Sequence, residues 1–243
     1  MRRVVRAVVL ACEVVALACG GSPSSPSRAT APPPPEPPNA SALNSVFLSC
    51  PSAAQIDSLI PLRIEFDDVI RSGPLACRYA EGSADLTAQQ RTIYWSLLFL
   101  RNTHFNVPLP WTTGDAWSWF IGLNPRVYFY AGSPGPSHCT NCQNPATAEL
   151  DIAGGAPTAP SWPQVVVLAS GLVHEARHIE VGNHRCGASD VRPEDLEAFG
   201  VHYYYLVWTA RHTDAATFPA EYRAYLEWST CAMRNSAFCT GSC

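Results

Sequence analysis

Hydrophobic and polar residues alternate along this chain in two rhythms. At Leu62–Phe66, Arg126–Tyr130 and Ala148–Ile152 the period is two, which predicts strands with one buried face. Elsewhere the period is 3.6. Asp85 to Asn106 predicts a helix capped by Asp85 or Thr87, with Ile93, Leu97, Leu98 and Leu100 on its apolar side. Because Trp95 to Leu100 is apolar almost all round, this helix is expected at the centre of the core. Shorter helices are expected over Ser52–Leu62 and Asp115–Leu123.

The second half is more helical. A helix is expected from Ser161 to about Val181, with Pro163 in its first turn and Gly182 as its stop. Val165, Leu168, Leu172, Ala176 and Ile179 form its core stripe, whereas Val167, Gly171, His174 and His178 line another face. Gly171 leaves open space one turn before His174, as a substrate-facing position does. A following helix, capped by Ser189 or Asp190 with Pro193 in its first turn, is expected to carry Glu194, Glu197, His202 and Tyr203–Tyr205 and to end near His212. A last helix is expected over about Pro219–Met233. The fold class expected is therefore α+β and helix-rich, with a small sheet.

The first forty residues do not share these rhythms. Arg2, Arg3 and Arg6 precede an apolar run and then small residues, the layout of a secretory signal over residues 1–18. Ala16-Leu17-Ala18-Cys19-Gly20 resembles a bacterial lipobox, which implies a lipid on Cys19 and attachment to a membrane facing the periplasm or cell surface. Ala16 stands where leucine is usual and Glu13 interrupts the run, so ordinary cleavage to a secreted product is the alternative. Residues 19–39 hold four consecutive prolines, Pro32 to Pro35, and read as an extended tether. One folded domain is expected over residues 40–243.

Charge and cysteine content narrow the function. The net charge is −4, and residues 1–18 carry three arginines against one glutamate, so the remainder is more acidic still. An acidic domain without a basic stripe is a poor partner for nucleic acid. All sixteen basic residues are arginine, which excludes Schiff-base lysine chemistry and a phosphate-binding P-loop lysine. Beyond Cys12 and Cys19, eight cysteines remain, an even number that reads as a disulfide framework in an exported chain. Neighbouring segments are expected to pair: Cys50 with Cys77, Cys186 with Cys231, and Cys139, Cys142, Cys239 and Cys243 in two short bridges. Cys139-Thr-Asn-Cys142 lacks the βαβ setting of a redox motif and the second pair of a zinc knuckle.

The chemistry concentrates between Gly171 and Cys186. His174, Glu175 and His178 form H-E-x-x-H, and on a helix the two histidines share a face one turn apart. Two such imidazoles suit one Zn2+, with Glu175 beside them as general base. The bland reading has the histidines closing off a core and Glu175 paired with Arg177 or Arg185. The motif resembles the zincin-type zinc metallopeptidases, which implies a zincin-like domain, a zinc cofactor and a peptide or protein substrate. A catalytic zinc needs a third protein ligand. His184 follows His178 at the spacing of the metzincins, although Val181 occupies the usual glycine position and Gly182 comes one residue later. Met233 is the single candidate for the methionine turn of that family. Glu197 lies at the spacing of the gluzincins, where a glutamate on the next helix ligates. His184 is the first choice for the third ligand, Glu197 the alternative and Asp190 a weaker option. His202, Tyr203 and Tyr204 are candidates for stabilising an oxyanion, and Arg177 is expected to pair with Asp190 or Glu194. The competing class is a non-catalytic, lipid-tethered binding or structural protein held together by disulfides.

Overall fold

A computed structural model of the chain describes residues 41–80, 84–131, 137–153, 162–182, 192–213 and 222–238. The expected signal, tether, His184, Cys186, Asp190, Cys239 and Cys243 lie outside these residues.

The described part is α+β and helix-rich. Its larger sheet joins β1 (Arg63–Phe66), β4 (Arg126–Tyr130), β6 (Glu149–Ala153) and β5 (His138–Thr140), in the spatial order β1-β4-β6-β5. The first three are mutually parallel; β5 pairs antiparallel to β6 at one edge. The period of two sets the faces. Val127, Phe129, Leu150 and Ile152 are buried, whereas Arg126, Tyr128, Tyr130, Glu149 and Asp151 lie half-buried on the other face. There Arg126 reaches Glu65 at 2.7 Å and Glu149 at 3.3 Å, cross-strand pairs that fix register more than stability.

The helices in chain order are α1 (Ser41–Leu48), α2 (Ala53–Asp57), α3 (Asp68–Arg71), α4 (Ala88–Asn102), α5 (Ala116–Gly122), α6 (Trp162–Val181), α7 (Ala198–Arg211) and α8 (Arg223–Ala237). Thr87 caps α4: its hydroxyl accepts from Gln90 N, and Gln90 Oε1 accepts from Thr87 N. Asp85, the other expected cap, instead accepts from Tyr79 N. Asp115 caps α5 through Ser118 N at 2.8 Å. As expected, every residue of α4 from Trp95 to Leu100 is buried. α4 packs against α6, α6 against α7, and α7 against α8, while α6 also meets β5 and β6.

Four short elements were not foreseen: α1, α3, the two-stranded ribbon β2 (Leu75–Cys77) with β3 (Leu86–Thr87), and β5. α3, β2, β3 and β5 are each too short to show a period. β5 contains Cys139, whose disulfide to Cys142 closes the turn that follows the strand. Cys50–Cys77 is also bridged, and Cys231 is disulfide-bonded. The expected helix Ser52–Leu62 ends at Asp57. The helix carrying His202 starts well after the expected cap. Pro193–Asp195 is a 3₁₀ turn, Leu196 is left-handed, and α7 begins only after Glu197. A proline suits the first position of either helix type, so Pro193 alone did not decide between them.

Candidate metal centre

α6 places the site. Its core stripe is buried at Val165, Leu172, Ala176 and Ile179, and Val166, Ala169 and Val173 are buried as well, so the helix is enclosed on most sides. Gly182 ends it with φ +77°, a left-handed conformation that glycine adopts without strain. Its N–H donates to the carbonyl of His178 at 2.9 Å.

The two histidines and Glu175 come together as H-E-x-x-H on a helix requires. His174 is 7% exposed, Glu175 4% and His178 7%. One nitrogen or oxygen from each lies within 4.8 Å of the others. His174 Nε2 is 3.9 Å from Glu175 Oε1, and His178 Nε2 is 4.0 Å from Glu175 Oε2, so the carboxylate stands almost evenly between the two imidazoles. His178 Nδ1 lies 2.5 Å from the carbonyl oxygen of Gly182. A carbonyl has no proton to give, so Nδ1 carries it, and Nε2 of the neutral ring keeps its lone pair for the site.

The electrostatics suit a cation. Burial raises the pKa of Glu175 to about 8, and the negative charge of Asp151 adds to this. Burial lowers the pKa of His178, against the opposing pulls of the Gly182 bond and the charge of Glu197. Desolvation takes His202 down to about 4, so its ring is neutral at pH 7. A buried carboxylate beside two imidazoles is an expensive arrangement without a positive partner. The donor set therefore fits a divalent ion of the zinc type.

The other expected site residues separate. Glu197 lies outside the three-residue cluster, yet its charge acts on His178. It is the N-cap residue of α7, and its side chain makes no capping bond to its own helix. His202 meets the His174 ring at a centroid distance of 5.6 Å. Tyr203 packs on Tyr204 and Phe238, and Tyr204 on Trp208. Arg177 pairs with Glu180 rather than Glu194. Phe199, which sequence reasoning passed over, covers His174 at 4.6 Å. Asp151, equally unforeseen, acts by its charge on both Glu175 and Tyr130; it accepts from Thr140 Oγ1 at 2.6 Å and lies 3.5 Å from His138 Nε2. The alternation in β6 marks Asp151 as facing away from the core, but only the sheet order brings it beside the site. Beside Gly171 the space is open: a Cβ there meets no atom within 4 Å.

Comparison with protein-family models, with functionally described proteins and with solved structures finds no match to this chain.

Proposed function

We propose that this chain is a zinc-dependent hydrolase, most specifically a peptidase of the zincin type. One observation carries the reading: His174, Glu175 and His178 are buried together with their donor atoms within 4.8 Å of one another. His174 and His178 would hold the ion through their imidazoles, His178 through Nε2 because its Nδ1 bonds the Gly182 carbonyl. The third donor is His184 or Glu197; Glu197 is the one among the described residues, and its charge acts on His178. A helix bearing the motif beside a small mixed sheet accords with the zincin resemblance.

Zinc, when bound, supplies a Lewis acid that polarises a carbonyl and makes water acidic near neutral pH. The rest falls to the side chains. Glu175 accepts the proton of the attacking water and passes it to the leaving amine. The Gly182 carbonyl holds the His178 ring in the tautomer a ligand needs. His202, neutral and against His174, is the candidate donor to a developing oxyanion.

We also read the chain as exported and tethered by a lipid on Cys19. The Cys50–Cys77 and Cys139–Cys142 bridges accord with an oxidising compartment. No helix among the described residues is long and apolar enough to cross a membrane.

Purified protein is expected to hold one zinc per chain and to hydrolyse peptides, losing this on chelation and regaining it with zinc. Glu175→Gln should keep the zinc and lower turnover by roughly 10²–10⁴-fold. Protein that purifies without stoichiometric zinc ends this reading. Zinc retained with no hydrolysis in the wild type leaves the non-catalytic, tethered binding protein. Comparing zinc retention in His184→Ala and Glu197→Ala decides the third donor.

A further inference from the structure

Arg177 stands one residue before His178 on α6 but turns away from the two-histidine face. Its side chain is only 16% exposed. Nη1 pairs with Glu180 Oε2, which also accepts from Trp119 Nε1 on α5 at 3.1 Å. Nε donates to a backbone carbonyl nineteen residues further on, that of Leu196, at 2.8 Å. The guanidinium is thus anchored on one side by a carboxylate and gives its Nε–H to a single point of the chain.

That point is unusual in two further ways. Leu196 has φ +53° and ψ +32°, a left-handed conformation that strains a residue bearing a side chain. The residue after it, Glu197, is extended, with ψ −175°. One turn into α7, Gly200 brings its backbone so close to the 3₁₀ turn that a Cβ would lie 2.6 Å from the carbonyl oxygen of Pro193. An ordinary helix start needs none of these three features. A side chain and a cap residue suffice for that, and Glu197 does not cap its own helix. The bond, the left-handed residue and the close glycine all fix one position, the backbone from which the Glu197 carboxylate projects. Arg177 adjoins His178 in the chain, so the same contact ties that position to a histidine of the site.

We propose that Arg177 is a positioning residue, whose bond to the Leu196 carbonyl holds the Glu197 carboxylate against the His174–His178 centre and so sets its metal affinity. This rests on the metal-centre reading above. Arg177 itself touches no metal; it acts through the backbone of residues 196 and 197. Two residues beyond Glu197, Phe199 packs on the His174 ring with 4.6 Å between centroids, and His202 of the same helix meets that ring at 5.6 Å, so the start of α7 lies against the site. Partners at this remove commonly change metal affinity by roughly 10–100-fold.

The test uses the full chain and two readouts, zinc affinity by chelator competition and the visible absorption of the cobalt(II)-substituted protein. Arg177→Ala is expected to weaken zinc roughly 10–100-fold and to alter the cobalt spectrum as Glu197→Ala does. The double variant should lose no more affinity than Glu197→Ala alone, because both changes remove the same contribution. Arg177→Lys, which keeps a cationic donor, should recover part of the loss. Gly200→Ala alters no side chain of the site but forces the backbone apart from Pro193, and should weaken zinc in the same way. Additive losses in the double variant, or wild-type affinity and spectrum in Arg177→Ala, overturn the proposal while the metal centre stands. If Arg177→Ala fails to fold, wild-type zinc affinity in both Arg177→Lys and Gly200→Ala overturns it. Wild-type protein that binds no zinc overturns the metal centre and this inference together.

Discussion

Glu175 is the proposed base in a place that opposes its charge. Burial, with Asp151 nearby, lifts its pKa from the ordinary 4.5 to about 8. The folded, metal-free state therefore holds the proton more tightly than the unfolded chain does. Stability conferred by this proton is full below about 4.5 and is lost as pH rises to about 8. Urea midpoints of chelated protein are expected to fall across that window, and Glu175→Gln should flatten the slope. A dication beside the carboxylate lowers its pKa again, so the zinc-loaded protein should show little of the slope. Equal slopes in wild type and Glu175→Gln would place the titration on another group.

At the scale of elements, the last turn of α6 does two tasks with one residue. Gly182 donates its N–H to the His178 carbonyl and accepts from His178 Nδ1. At φ +77° an alanine is strained by its backbone alone, since a Cβ there meets nothing within 4 Å. Gly182→Ala should lower stability by about 1–2 kcal/mol in thermal unfolding, and should weaken zinc as the His178 ring loses its fixed orientation. This end of the helix was legible in the sequence, because glycine after a 3.6-residue pattern has a physical meaning. So were α4 with its Thr87 cap, α5 with Asp115, and β1, β4 and β6, whose alternation is long enough to read. β5 was not, since three residues beside a disulfide turn show no period. Nor was the start of α7. Nothing in a leucine announces a left-handed backbone; Leu196 closes the 3₁₀ turn, and its carbonyl accepts from Arg177 nineteen residues away. The motif residues of the site were visible in one dimension because one helix carries them all. Asp151, Phe199 and the Arg177 contact come from other segments, and only packing brings them there.

For the molecule as a whole, the first elements are stitched on late in the chain's geometry but early in its covalent map. Cys50–Cys77 joins the α1–α2 segment to β2 across 27 residues. A loop of that length is worth about 3–4 kcal/mol through the unfolded state. Replacing both cysteines by serine should cost about that much in denaturant unfolding while leaving zinc stoichiometry intact, since neither cysteine belongs to the His174–Glu175–His178 cluster. The helix that carries the centre has a different relation to the whole. α6 lies between α4 and α7 and against two strands of the sheet, with its stripe residues buried. A segment enclosed in this way has no partial opening of its own. Its amide protons exchange with solvent only when the surrounding structure comes apart. Release of the ion by denaturant and loss of the native circular dichroism should therefore fall on one transition, and the amides of residues 172–178 should be among the slowest to exchange deuterium. The molecule would lose its metal and its fold in the same step.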